Sequence, residues 1–240
     1  MSVLLLTATI LEQTRIAEEL TDSVSLMSCG RRWCHGVYAG RNIDLVESGL
    51  GAANTAHALT RGLEGRCPDM VLQVGVAGAY AGSGLQVGDL TVAAEEVYGD
   101  LGVVTPHGWR PAEEIGIPVA QVGGMPLYNR FPADEMLGRR ALDILRKSQT
   151  VRVERGPFVT VQACSGTAAL GAERQARVPG ALCESMEGAA AAHVCALYGV
   201  RFVEVRGVSN AVEDRDLSLW DLPLANGRAQ DAALCLLREL

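Results

Sequence analysis

At 240 residues, with 48% apolar and 20% charged side chains, the chain can bury a sizeable core and is excluded from the disordered class. Its formal charge of −7 and scattered basic residues exclude a nucleic-acid-binding face, and its single lysine, Lys147, leaves nothing from which to build a Walker-type phosphate loop or a Schiff-base site. The seven cysteines form an odd set without a C-x-x-C pair, and no apolar run approaches membrane-spanning length, so a reducing cytoplasmic setting with no membrane partner is expected.

In chain order, the apolar run Val3 to Thr7 predicts a buried strand and Leu11 to Leu20 an amphipathic helix. Val24 to Met27 and Trp33 to Tyr38 read as a hairpin around a Cys-Gly-Arg-Arg turn, followed by a strand at Ile43 to Glu47 and a helix at Ala52 to Glu64. Met70 to Val74 is a strand ending in Gly75-Val76-Ala77-Gly78, and Asp89 to Val97 is another. Gly99 to Gly116 is expected to be a long loop, which in a compact domain points to a lid or an interface. A helix at Ala133 to Lys147, strands at Phe158 to Ala163 and Ala181 to Glu184, a helix at Glu187 to Tyr198 and a long strand at Arg201 to Val208 follow. The final stretch, Leu217 to Leu240, reads as helical with a break at Pro223.

Strands alternate with helices, and the strands are continuous apolar runs, so both faces of the sheet must be covered. The expected architecture is a three-layer α/β/α sandwich with a mixed central sheet, one domain over residues 1–240.

Several motifs are chemically suggestive. Gly49-Leu50-Gly51-Ala52-Ala53-Asn54 opens a helix as a dinucleotide fingerprint does, but Asn54 replaces the third glycine and Asp69 precedes its strand, at the wrong edge for a ribose-binding acid. The four histidines share no metal-ligand spacing, so neither a metal nor a cofactor is expected. Ser165-Gly166-Thr167 lacks the flanks of a nucleophile elbow. Glu187 lies at a strand-to-helix junction, where an acid either complements the helix dipole or holds a ligand's hydroxyls. Ser209 and Asn210 close a buried strand, the usual ligand edge of an α/β sheet.

Taken together and in this order, Gly75-Val76-Ala77-Gly78, Glu184-Ser185-Met186-Glu187-Gly188-Ala189-Ala190 and Arg206-Gly207-Val208-Ser209-Asn210 resemble the nucleoside phosphorylase and nucleosidase family over nearly the whole chain. The resemblance is greatest to its nucleoside-hydrolysing branch, and it implies a soluble homo-oligomer, often a dimer, acting on a small nucleoside. It implies that Met186 packs on the ribose, that Glu187 takes its two secondary hydroxyls, and that Glu12, with Arg206 nearby, is the base that activates water. Asn210 with Ser209 would bind the purine, and Leu50, Val76, Ala77, Gly78 and Trp220 would complete the pocket.

Two departures from that pattern carry information. Adenine-specific members have an aspartic acid where this chain has Asn210, and an amide donates hydrogen bonds but cannot transfer a proton, which favours a 6-oxopurine leaving group such as hypoxanthine. The phosphorylases' Gly-Asp-Pro turn is replaced by Thr7-Ala8-Thr9-Ile10-Leu11-Glu12, which favours water as nucleophile. The base-stacking aromatic is expected to be replaced near Ala168 to Leu170, the loop Gly99 to Gly116 is expected to border the 5′ side of the sugar with Trp220, and Pro118 to Phe131 is a candidate subunit contact.

Overall fold

The computed structural model describes all 240 residues. Its centre is β1 (Ser2–Thr7), which pairs in parallel with β4 (Arg41–Glu47) on one side and β5 (Met70–Ala79) on the other. A strand flanked on both edges and covered on both faces has no polar side to show, hence its apolar run. Successive side chains split between the layers. Val3 and Leu5 join one core cluster, and Leu4 and Leu6 the other.

Beyond β4 the sheet continues through β3 (Arg31–Tyr38) to β2 (Thr21–Ser28), an antiparallel hairpin. Its turn residues Cys29 and Gly30 both have positive φ, 51° and 74°, the geometry a tight hairpin turn demands. On the other side lie β6 (Leu90–Tyr98), β11 (Arg130–Pro132), β12 (Val153–Thr160), β13 (Cys183–Ser185) and β14 (Arg201–Ala211). Strand β14 pairs with β5 in parallel and with β6 antiparallel, β6 pairs with β12, β12 with β13, and β13 with β5. The mixed sheet therefore curls into a closed five-strand ring on this side while staying open on the other.

Helices α1 (Thr14–Glu18), α3 (Glu135–Ser148) and α6 (Leu222–Glu239) cover one face, through Ile16, Leu145 and Ala233 among others. Helices α2 (Ala52–Gly65) and α5 (Gly188–Tyr198) cover the other, the latter through Ala191, Ala192 and Cys195. The α/β/α sandwich expected from sequence is the observed fold. No helix is long and apolar enough to cross a membrane.

Four expectations need correction, and one helix is additional. The segment Leu11 to Leu20 is not one helix: a 3-10 turn at Ile10–Glu12 precedes the short α1, because Glu12 folds its carboxylate back onto the Ala8 and Thr9 N–H groups. The strand expected over Met70 to Val74 runs on through Gly75 to Gly78 to Ala79, held by a ladder to β14 on one edge and β13 at its end. Gly99 to Gly116 contains a hairpin, β7 (Gly102–Thr105) and β8 (Gly108–Pro111), and a 3-10 turn at Ala112–Ile115. Pro223 does not break the last helix. It occupies the first turn of α6, where its missing N–H costs nothing, behind Asp221 capping the Leu224 N–H at 2.9 Å. Helix α4 (Ala168–Arg177) was not anticipated, although Thr167 caps it through the Leu170 N–H at 3.2 Å.

Candidate active site

A cleft of about 540 Å³ opens where β1, β5 and β14 end and α5 begins. All eleven residues named from sequence line it: Glu12, Leu50, Val76, Ala77, Gly78, Met186, Glu187, Trp220, Arg206, Ser209 and Asn210. This is the carboxyl edge of the parallel strands, where helix N-termini and freed strand ends create room for a ligand.

One end of the cleft is ionic and dry. Arg206, 1% exposed, donates from Nε to Glu204 Oε1 at 2.7 Å and from Nη1 to the Val76 carbonyl at 3.2 Å, and its two terminal nitrogens lie 3.5 Å from Glu187 Oε2. Burial works against the Arg206 charge, but Glu204, Glu187 and Glu12 outweigh it and raise its pKa, so the guanidinium stays protonated. Glu187 Oε1 accepts the Gly51 N–H at 3.0 Å. The glycine-rich turn thus serves Glu187, while Asp69 is tied to the Ser2 N–H at 2.7 Å on the opposite edge of the sheet, away from the cleft.

Glu12 is not the exposed acid that its place in a first helical turn suggests. It is 6% exposed, with Oε2 accepting from the Ala8 N–H (3.0 Å), the Thr9 N–H (2.9 Å) and the Thr9 hydroxyl (3.2 Å). Its Oε1 accepts only the Val76 N–H, at 3.1 Å, which leaves a lone pair on the cleft side. Burial raises its pKa, with Glu187 acting in the same direction, against the pull of Arg206 and the backbone donors. A carboxylate whose pKa is raised by burial and whose position is fixed by backbone N–H groups is equipped to accept a proton. Gly75 makes this possible: a Cβ there would lie 2.6 Å from both Arg206 Nη1 and Glu12 Oε1.

The other end is built by a bulge. Against β5 the register of β14 shifts between Val208 and Asn210, so Ser209 is the extra residue and Asn210 sits opposite Gly78. The Ser209 hydroxyl lies 2.8 Å from Asn210 Oδ1, and Asn210 Nδ2 donates to the Ala211 carbonyl at 2.8 Å, which leaves one amide hydrogen for a ligand. At the mouth, the Arg215 guanidinium stacks 4.8 Å from the Trp220 ring centroid and forms no ion pair.

Sequence reasoning missed Arg215, Cys164, Ser165, Ser185 and Asn226, all of which line the cleft. Ser185 lies inside the motif that contains Met186 and Glu187, and its hydroxyl is buried without a partner. Glu184 closes the strand before that motif and does not reach a ligand-binding role by sequence. It is instead an anchor, accepting from the Ser165 N–H (2.6 Å), the Ser165 hydroxyl (2.7 Å), Tyr80 (3.2 Å) and Arg174 (3.2 Å). Ala168 to Leu170 do not line the cleft, because they begin α4, and Cys164 and Ser165 take that wall. Nor does Gly99 to Gly116 line it within this chain. That hairpin is held at the far edge by Arg177 over Trp109 and by Asn129, which binds the Tyr98 and Leu101 carbonyls. His193 stacks on Phe131 in α5. No group of three or more His, Cys, Asp or Glu side chains is placed to hold a metal ion.

A half-closed mixed sheet with an acid-rich cleft at its strand ends places the chain in a class that sequence comparison defines directly. The chain belongs to the phosphorylase superfamily, whose sequence model matches residues 3–239. A methylthioadenosine/adenosylhomocysteine nucleosidase of Actinobacillus succinogenes is 34% identical over 85% of this chain and 84% of its own length. A futalosine hydrolase of Streptomyces coelicolor is 33% identical over 79% and 76%. The crystal structure of the Neisseria meningitidis methylthioadenosine/adenosylhomocysteine nucleosidase in complex with methylthio-immucillin-A superposes over 100% of this chain and 99% of its own with a TM-score of 0.87, at 24% identity.

Proposed function

We propose that this nucleosidase hydrolyses the N-glycosidic bond of futalosine, releasing hypoxanthine and dehypoxanthine futalosine in menaquinone biosynthesis. The observation that carries the base assignment is Asn210, which offers an amide N–H at the strand end and has no proton to transfer. A departing 6-oxopurine spreads its negative charge onto the exocyclic oxygen, and hydrogen-bond donation stabilises that charge. The two curated relatives are equally similar to this chain, so identity does not choose between their substrates. Arg215 favours futalosine over methylthioadenosine: an unpaired guanidinium on the Trp220 ring suits the aromatic carboxylate that futalosine carries on its 5′ side and has no partner in a neutral thiomethyl group, although the carboxylate of adenosylhomocysteine would suit it as well.

Glu187 takes the ribose 2′ and 3′ hydroxyls with Met186 packed on the sugar, Glu12 Oε1 removes a proton from the attacking water and gives it up to solvent, and the departing hypoxanthine anion takes its proton from solvent. The bond breaks through an oxocarbenium-like transition state, stabilised by the excess of buried carboxylates over the single Arg206. Water rather than phosphate is the nucleophile because Arg206 is already engaged by Glu204 and Glu187, so a phosphate dianion meets carboxylates and no available cation at that end. The enzyme works as a homo-oligomer, and the exposed Ile117 and Met125, 70% and 68% exposed, favour the segment around Pro118 to Phe131 as the contact.

The test is to incubate the protein with futalosine, inosine and methylthioadenosine, with and without phosphate, and to follow free base. Hypoxanthine from futalosine at a rate indifferent to phosphate is expected. Adenine from methylthioadenosine with futalosine untouched overturns the substrate, and release only with phosphate overturns hydrolysis.

A further inference from the structure

Behind the ionic end of the cleft, two fully buried carboxylate oxygens have no hydrogen-bond partner: Oε1 of Glu96 on β6 and Oε2 of Glu204 on β14. They face each other over the first residue of α5, and a side chain at Gly188 would collide with both. Two bare carboxylates cannot share such a space, since each would meet a like charge with no water to screen it.

The remaining hydrogen bonds locate the missing proton. Glu204 Oε1 accepts from Arg206 Nε at 2.7 Å, so Glu204 is the anion of a charged pair. Glu96 Oε2 lies 2.7 Å from the Thr160 hydroxyl, and that hydroxyl oxygen accepts the Ala189 N–H at 2.8 Å, so its own hydrogen points to Glu96. A proton on Glu96 Oε1, directed at Glu204 Oε2, satisfies both orphaned oxygens at once.

We propose that Glu96 and Glu204 share one proton, carried by Glu96, and that this acid pair is the positioning device that holds Arg206, and through it Glu187 and Glu12, in the cleft. The proton sharing stands on hydrogen-bond accounting alone, whereas the effect on catalysis rests on the nucleosidase reading.

The surroundings agree. Burial and the Glu204 charge push the Glu96 carboxyl well above the usual carboxylate range, against Thr160 and Arg206. The other titratable groups facing the pair are the Cys183 thiol on β13 and the Tyr98 phenol on β6, both pushed up by burial and neutral. Arg206 then meets three carboxylate charges, Glu204, Glu187 and Glu12, with the fourth acid neutral. The pair also accounts for Gly188, whose helix position by itself makes no demand for glycine.

Infrared difference spectroscopy tests the proton without any substrate. Wild type minus Glu96→Gln is expected to show the carbonyl stretch of a neutral carboxylic acid at neutral pH, and its absence overturns the pair. Kinetics tests the positioning. Glu96→Gln, a neutral donor of the same shape, is expected to keep kcat within about threefold and to leave the acid limb of the pH profile in place. Glu204→Gln is expected to lower kcat by about tenfold or more and to move that limb to lower pH, because Arg206, whose charge favours the ionised form of Glu12, is then shared with one carboxylate fewer. Glu204→Asp, which keeps the charge but shortens the reach, should lower kcat without moving the limb. Equal behaviour of Glu96→Gln and Glu204→Gln, or an unchanged limb in Glu204→Gln, overturns the positioning role, and if no nucleoside is cleaved the infrared result still decides the proton.

Discussion

The two ends of the cleft are built on opposite principles. At the ionic end Glu12, Glu187, Glu204 and Arg206 are buried and tied to one another and to the backbone by hydrogen bonds and ion pairs, so a ligand enters an environment that is already organised. At the mouth the Arg215 side chain is exposed, stacks on the Trp220 ring and forms no ion pair. A buried charge network acts on the transition state because it cannot reorganise, while an exposed cation is screened and selects among substrates only modestly. On the proposed function, chemistry belongs to the inner end and preference to the outer one.

The sharpest way to break this division is Glu12→Gln, which keeps the shape and removes the base. We expect kcat to fall by about 10²- to 10⁴-fold with little change in KM, measured by steady-state base release. Glu187→Ala should lower kcat/KM by about 10²- to 10³-fold, since it removes the proposed hydrogen bonds to the ribose and leaves Arg206 short of a partner. Both variants should leave the infrared signature of Glu96 in place.

The raised pKa values give two pH predictions of defined sign. Glu12 must be ionised to act, so the acid limb of kcat/KM should lie above the ordinary glutamate value of 4.5. Glu96 holds its proton in the folded chain at pH values where the unfolded chain has lost it, so its contribution to stability falls as pH rises. Denaturant unfolding of Glu96→Gln relative to wild type should show the variant gaining up to about 1.4 kcal/mol per pH unit above about 4.5, until the folded-state pKa is passed. The smallest expected effect is at the mouth. Arg215→Ala should raise KM for futalosine by about fivefold, less at high salt, and leave kcat nearly unchanged.

What could be read from the sequence follows the same inner and outer division. Glu187, Met186, Ser209 and Asn210 sit in short motifs at strand ends, where local pattern and position coincide, and the structure brings them to one cleft. The central strands were equally legible, because burial on both faces writes itself as an apolar run. The ring closure was not, since β14 bridges β5 and β6 through pairings that no local pattern encodes. Glu96 and Glu204 are 108 positions apart and look like ordinary strand acids until the ring brings them together. Helix α4 escaped notice because its alanine-rich sequence buries only Gly171 and Arg174 and so presents no apolar stripe. Arg215 lies in an irregular acidic stretch that gives a cation no context.

The claim that the ionic end performs the chemistry while Asn210 chooses the leaving base is tested most directly by one ratio, kcat/KM for futalosine over kcat/KM for methylthioadenosine, in the wild type and in Asn210→Asp. The account predicts a ratio well above one in the wild type and a shift of about tenfold or more toward methylthioadenosine in the variant, because a protonatable acid then faces the purine. An unchanged ratio, or a wild type that prefers methylthioadenosine, would contradict it.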